Sequence, residues 1–163
     1  MKLKHIILAL ISISLAGCLT PYEKVEPSKK AAFLKFERSL NGPLLGTITR
    51  YVKVDDKQKC REAYSEHKLL AVQNQGNPLV SDLNVDGLYV NPGDFRIQIN
   101  TVAGVRGWCD VFVELDVKSG EKYKIVTNGN MYDRGTCSSK LYKLSDSGTY
   151  EKAEFKKYQE CNK

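Results

Sequence analysis

Alternation of apolar and polar residues with a period of two is the feature that most constrains the fold of this chain. It is clearest over residues 109–117. Cys109, Val111, Val113, Leu115 and Val117 fall on one face, and Asp110, Phe112, Glu114 and Asp116 fall on the other. Successive side chains of a β-strand point to opposite faces of the sheet, whereas a helix repeats every 3.6 residues. The pattern therefore predicts a half-buried strand here.

Similar patterns recur along the chain. Strands are predicted over residues 44–54, 88–90, 95–101, 109–117, 122–130 and 137–144. Turn-forming residues at 91–94 and 118–121 (Asn-Pro-Gly-Asp and Lys-Ser-Gly-Glu) predict two hairpins. Many short strands separated by such turns are typical of an all-β protein, so an antiparallel β-sandwich or barrel is expected.

Two segments lack this alternation and are richer in helix-forming residues. Residues 59–70 predict a short helix, and the tail over 150–161 places Phe155 and Tyr158 at helical spacing. We therefore expect a minor helical content, with a short C-terminal helix closing one domain over residues 31–163. Residues 18–30 contain two prolines and no sustained periodicity, which predicts a tether.

The first residues predict export. Lys2 and Lys4 precede an apolar run from Ile6 to Ala16, which is shorter than the roughly 20 residues of a membrane-spanning helix but fits a secretory signal. Leu15-Ala16-Gly17-Cys18 then resembles the lipobox of bacterial lipoproteins. That resemblance implies that residues 1–17 are a signal peptide and that Cys18 carries the lipid, acyl chains such as palmitate included.

The same resemblance implies a location. Leu19, and not Asp, follows Cys18, which implies sorting to the outer membrane with the domain facing the periplasm. Residues 88–144 are also similar to the β-sandwich modules of small envelope lipoproteins, through the Pro92-Gly93 turn and the Gly120-x-x-Tyr123 turn. This second resemblance implies a fold and no activity.

The remaining cysteines predict disulfides. Cys60, Cys109, Cys137 and Cys161 form an even set, which in an exported chain predicts two bridges with three possible pairings. A zinc site would need closely spaced ligand pairs, and the nearest two of these cysteines are 24 positions apart. The hairpin expected over 109–130 would return the chain to Cys109, which favours Cys109–Cys137 and Cys60–Cys161.

The charge pattern argues against nucleic acid as a partner. The chain has 25 Lys and Arg against 19 Asp and Glu, a net charge of +6, and removal of residues 1–17 would leave +4. The charge is spread along the chain, with no block of five or six charges of one sign. The partners we expect are the membrane, through the lipid anchor, and a protein of the cell envelope.

The chain contains few residues suited to catalysis. Glu114 and Asp116 lie two positions apart on a predicted strand, about 6.6 Å along its axis, which suits a carboxylate pair but also a solvated strand face. His67, the one histidine after the signal, lies among charged residues and is expected on the surface. We therefore expect no enzyme activity and no cofactor apart from the covalent lipid.

Residues 82–87 resemble the start of a calcium-binding loop. Asp82, Asn84 and Asp86 followed by Gly87 match its first six positions, but Gly93 stands where the bidentate Glu of such a loop is required. A metal-free turn rich in Asp and Asn is the expected structure. Whether these residues bind calcium stays open at this point, and no metal site is assigned.

The loops around the clearest strand supply the candidate binding residues. Arg106 and Trp108 precede this strand, and Tyr132 and Arg134 follow its expected partner, so all four are expected at one end of the domain. Trp, Tyr and Arg are enriched in binding hot spots. We therefore expect a non-catalytic binding or envelope-assembly module. The alternatives are an inhibitor of an envelope-directed enzyme such as lysozyme and a hydrolase using Glu114 and Asp116.

Overall fold

The computed structural model describes residues 19–42, 46–54, 67–104, 107–132 and 136–156. The strands in these ranges are β1 (Thr20–Pro21), β2 (Ala32–Asn41), β3 (Thr47–Val54), β4 (Lys68–Gln75), β5 (Leu88–Val90), β6 (Gly93–Ala103), β7 (Gly107–Val117), β8 (Lys122–Asn130), β9 (Thr136–Leu144) and β10 (Tyr150–Ala153). The same ranges contain no helix, and hence none with the length and apolar character needed to cross a membrane.

The strands form two five-stranded sheets. Sheet A has the order β1-β4-β3-β6-β7, and sheet B has the order β10-β9-β8-β2-β5. The predicted all-β class is confirmed. The prediction of purely antiparallel pairing is wrong, because β1 pairs with β4 and β2 pairs with β8 in parallel. Period-two alternation identifies the buried face of a strand but carries no information on the direction of its neighbour.

Both predicted hairpins are wrong in the same way. The turn after β5 leads from sheet B to sheet A, and the turn at 118–121 leads from β7 in sheet A to β8 in sheet B. In a hairpin the apolar faces of two strands lie side by side, whereas in these crossings they face each other across the core. The sequence pattern is identical in the two cases, so alternation alone does not distinguish them.

One hydrophobic cluster receives side chains from both sheets. Its largest fully buried members include Leu34, Phe36 and Ile125 from sheet B, and Phe95, Ile97, Ile99 and Leu115 from sheet A. Burial of an aliphatic or aromatic side chain of this size contributes about 1.5–3 kcal/mol. The inward positions of β7 and β8 are therefore those that the alternation identifies.

The N-terminal segment is bound to the domain instead of being a free tether. Thr20 and Pro21 pair with the start of β4, and the Tyr22 ring lies 6.1 Å from that of Phe95. The backbone N–H of Val25 then donates to the carbonyl oxygen of Tyr89 in sheet B at 3.4 Å. Residues 20–25 thus connect one edge of sheet A to the neighbouring edge of sheet B.

The C-terminal segment connects the opposite edges. Tyr150–Ala153 is strand β10, so the helix predicted over 150–161 is not shown, and residues 157–163 lie outside the described part of the chain. The backbone N–H of Lys156 donates to the carbonyl oxygen of Glu114 at 2.8 Å. Turn residues at 145–149 reverse the chain after β9, which makes a strand at 150–153 the natural continuation of the sheet.

Two further expectations concern the segment before β4. Residues 68–70 belong to this strand and not to the helix predicted over 59–70, of which residues 59–66 lie outside the described ranges. His67 is only 4% exposed, so its expected surface position is wrong. His67 directly precedes β4, whose central residues are buried. The charged residues near His67 in the sequence did not indicate that it would be buried.

The strands define two ends of the fold. We call the end with Ala32, Val54, Lys68, Val117 and Lys122 the base, and the end with Asn41, Ala103, Gly107, Asn130 and Thr136 the tip. Strand β7 has 11 residues and runs from tip to base. At about 3.3 Å per residue, the two ends lie about 33 Å apart.

Candidate functional site

Two of the four predicted binding residues lie at the tip and are exposed. Trp108 is the second residue of β7 and is 63% exposed, and Tyr132 follows β8 and is 65% exposed. A Cβ atom built on Gly107 would lie 2.5 Å from the carbonyl oxygen of Met131, so the residues just before the two aromatics are in backbone contact. Arg106 and Arg134 lie outside the described residues.

A small buried cluster supports this end of the fold. It contains Ala103, Cys109 and Met131, with Leu40 and Cys137 packed against it. The backbone N–H of Met131 donates to the carbonyl oxygen of Asn41 at 2.6 Å. The backbone N–H of Tyr132 in turn donates to Oδ1 of Asn130 at 3.1 Å. The chain that carries Tyr132 is therefore fixed from both sides.

A disulfide between Cys109 and Cys137 connects β7 of sheet A to β9 of sheet B, with the two Cα atoms 6.1 Å apart. This is the pairing that the sequence analysis favours, although the hairpin used to argue for it does not exist. The crossing at 118–121 still reverses the chain, so β8 ends at the tip where β7 begins. Cys18, Cys60 and Cys161 lie outside the described ranges.

Gly129 leaves room for this bridge. It lies opposite Cys137 in the β8–β9 ladder. A Cβ atom at this position would lie 2.7 Å from the Thr136 carbonyl oxygen and 3.4 Å from the Cys137 sulfur. An isolated glycine within a strand pattern is a sequence signal for such close approach. This residue was not singled out from the sequence.

The predicted carboxylate pair is engaged in separate ion pairs. Arg96 Nε lies 3.3 Å from a carboxylate oxygen of Glu114, and Lys118 forms an ion pair with Asp116. Within the described part of the chain, no side chain bonds to both carboxylates. The arrangement has the character of a charged strand surface.

The residues of the calcium-like loop attach the loop to β4. Asp82 Oδ1 accepts a hydrogen bond from the backbone N–H of Asn74 at 2.6 Å, and Asn84 Nδ2 donates to the carbonyl oxygen of Leu70 at 2.7 Å. Asn84 and Gly87 both have positive φ angles, of 49° and 101°. No group of three or more His, Cys, Asp or Glu side chains suited to holding a metal occurs among the residues described.

One feature that the sequence analysis did not single out is a set of lysines on the outer face of sheet B. Lys122 and Lys124 alternate with the buried Tyr123 and Ile125, and the strand register places the other lysines of the set on the same outward side. The set is Lys35, Lys122, Lys124, Lys140 and Lys152. Alternation of lysine with buried residues at 122–125 is the signal that could have found it.

Comparisons with models of protein families, with curated proteins and with solved structures found no match to this chain.

Proposed function

We propose that this chain is a lipid-anchored protein of the bacterial outer membrane, facing the periplasm, with a β-sandwich that acts as a non-catalytic binding module. The aromatics Trp108 and Tyr132 contact its partner, an envelope protein. One observation carries the proposal: these exposed aromatics lie at the tip, whereas the N-terminal segment enters the fold at the base.

The direction of β1 supports anchoring at the base. Thr20 and Pro21 pair in parallel with Lys68 and Leu69, at the start of β4, so the chain before Thr20 leads away from the base. Cys18 precedes Thr20 by two residues, which span at most about 7 Å. Two or three acyl chains on Cys18 give lasting attachment, and they would hold the base close to the bilayer.

The character of the tip supports a binding role. Trp and Tyr combine large contact area with few rotatable bonds, so their immobilisation on binding costs little conformational entropy. The disulfide and the Met131 contacts hold the backbone of both residues before any partner arrives. With the base at the bilayer, the tip would extend about 33 Å into the periplasm.

The anchoring part of the proposal can be tested with Trp108, the single tryptophan of the chain. The lipidated protein is reconstituted in vesicles containing lipids with bromine or spin-label quenchers in their headgroup region. Trp108 fluorescence should be unquenched. The matched control is Lys118→Trp in a Trp108→Phe background, which places the reporter on the base turn and should be quenched. Strong quenching of Trp108 would contradict the orientation, and retention of a Cys18→Ser variant in the membrane would contradict the anchor.

The binding part can be tested by replacing Trp108 or Tyr132 with a photo-crosslinking amino acid in intact cells. A discrete adduct is expected from both positions. Val85 is also an exposed apolar residue, on a loop away from Trp108, and serves as the matched control position. Adducts of the same pattern from Val85, or none from the two tip positions, would refute a binding role for the tip.

A further inference from the structure

The outer face of sheet B is strongly basic. Five lysines project from it, against one carboxylate on the strands of this face, that of Glu37. Aromatic residues lie between them: Phe33, Tyr89, Tyr142 and Tyr150. We call these residues together the lysine–tyrosine face. Its charge equals the net charge of +4 expected for the whole chain without residues 1–17.

The register of the strands fixes the spacing of these charges. Lys35, Lys124, Tyr142 and Lys152 are in register across β2, β8, β9 and β10. Strands lie about 4.8 Å apart, so this row spans about 14 Å, and Lys122 lies about 6.6 Å closer to the base. The lysines of this row therefore lie on strands about 5 Å and about 10 Å apart, with Tyr142 between Lys124 and Lys152.

The half-buried part of the face is held in place by its own contacts. Glu37 lies 3.0 Å from Lys35 Nζ and 3.5 Å from Lys124 Nζ. Lys124 Nζ also lies 4.5 Å from the centroid of the Tyr150 ring and 5.5 Å from that of Tyr142. Lys122, Lys140 and Lys152 are exposed on the same face. These three lysines can thus reach a ligand while the tyrosine rings stay ordered beneath it.

An open cavity of about 330 Å³ adjoins the face at the base. Phe33 and Tyr89 contribute to its wall with ring centroids 5.1 Å apart, and Lys29 and Lys122 are among its other lining residues. Its volume is at the lower limit of small-molecule sites, and its lining combines apolar residues with charged ones, the carboxylate of Glu121 included. A ring-sized unit of a longer ligand can enter here while the rest lies along the lysines.

We propose that the lysine–tyrosine face binds an acidic polysaccharide, with lysines paired to its anionic groups and sugar rings packed on the aromatic side chains. Charge complementarity with a linear polyanion argues for this ligand class. The Cys109–Cys137 disulfide favours an oxidising compartment outside the cytoplasm, where nucleic acid is not the common polyanion. The strands run from base to tip, so with the base at the bilayer this face points sideways and not into the lipid.

The experiment measures binding of the full chain, in a non-ionic detergent, to alginate as the acidic polysaccharide and to dextran as a neutral one. Alginate should bind with an affinity that falls as salt rises, and dextran should not bind. Replacement of Lys122, Lys140 and Lys152 by Glu should weaken alginate binding by about tenfold or more. The matched control replaces the exposed Lys24, Lys30 and Lys118 by Glu, with the same change of net charge and an expected effect of about twofold or less.

A second measurement uses the unmodified protein, so it does not require that any variant folds. Bound alginate should protect Lys122, Lys140 and Lys152 of the unmodified protein from amine acetylation, read by mass spectrometry, while Lys24 and Lys30 stay reactive. The proposal is overturned by absence of alginate binding, by equal losses in the two triple variants, or by uniform protection. Tighter binding to phosphatidylglycerol vesicles or to oligothymidylate than to alginate also overturns it, in favour of a lipid surface or of nucleic acid.

Discussion

Reduction of the Cys109–Cys137 bridge should destabilise the fold by an amount that the structure allows us to calculate. The two cysteines are separated by 28 positions in the sequence. Closure of a loop of this length in the unfolded chain corresponds to a free energy of about 3.6 kcal/mol in the chain-entropy model. That is a large share of the 5–15 kcal/mol or so by which domains are usually stable.

The measurement is urea unfolding followed by circular dichroism, with and without a reductant. It is made in a background with Cys60→Ala and Cys161→Ala, so that the reductant acts on the bridge at the tip. With a urea dependence of about 1.5 kcal/mol per molar, the unfolding midpoint should fall by about 2.4 M. A loss of free energy below about 1 kcal/mol would refute the reasoning.

A variant separates the cross-link from the packing of its sulfurs. Cys109 is buried, and its sulfur lies 3.9 Å from that of Met131. Cys109→Ala with Cys137→Ala removes both the bridge and these contacts, so it should cost about 1 kcal/mol more than reduction alone. An equal cost for the two would show that the sulfurs contribute nothing to the cluster at the tip.

Three further predictions concern stability. Gly87→Ala should lower the free energy of unfolding by about 2–4 kcal/mol, because Gly87 has a φ of +101° and a Cβ atom there would lie 2.5 Å from the Phe33 ring. Gly148→Ala is the matched comparison, since Gly148 has a φ of +81° but no atom within 4 Å of the added Cβ, and it should lower the free energy of unfolding by about half as much or less. Tyr22→Ala should cost about 1–2 kcal/mol, and no loss would mean that the N-terminal segment does not support the core. Burial raises the pKa of Tyr51 to about 12, above the value of about 10 in the unfolded chain. The contribution of neutral Tyr51 to the free energy of unfolding is therefore fully present below about pH 10 and is lost as the pH rises through about 12. When the free energy of unfolding is measured against pH, Tyr51→Phe should reduce its decrease over this alkaline range.

The strands were predictable because their alternation reports which side chains face the core. Val113, Leu115 and Val117 all occupy the predicted apolar face and are buried. The assignment of strands to sheets was not predictable in this way, since the turn at 118–121 satisfies a hairpin and a crossing equally well. In strand β3, alternation of apolar and polar residues is also a poor guide to the buried face. The side chains on its inward face include Thr49 and Tyr51, whose hydroxyls have hydrogen-bond partners inside the fold.

The placement of Trp108 and Tyr132 at the same end of the fold was predictable from the sequence, because any reversal of the chain at 118–121 brings residues 108 and 132 to one end. The lysine–tyrosine face could not be predicted in this way, since its members come from all five strands of sheet B, and β2 and β5 are distant in sequence from β8, β9 and β10. Only the parallel pairing of β2 with β8 places Lys35 beside Lys124. The strand at 150–153 was not predicted, because the helical spacing of Phe155 and Tyr158 was given more weight than the turn residues Ser147 and Gly148, which favour a return strand.

The ladder between β2 and β8 also determines when this domain can fold. It joins residues about ninety positions apart, and β2 has only the three-residue β5 on its other side. Sheet B therefore cannot be completed until residues 122–130 have been synthesised, and fragments that end before residue 122 should not form this sheet. High contact order of this kind is associated with folding in milliseconds to seconds, and the β2–β8 ladder can begin to form only after residues 122–130 have been synthesised.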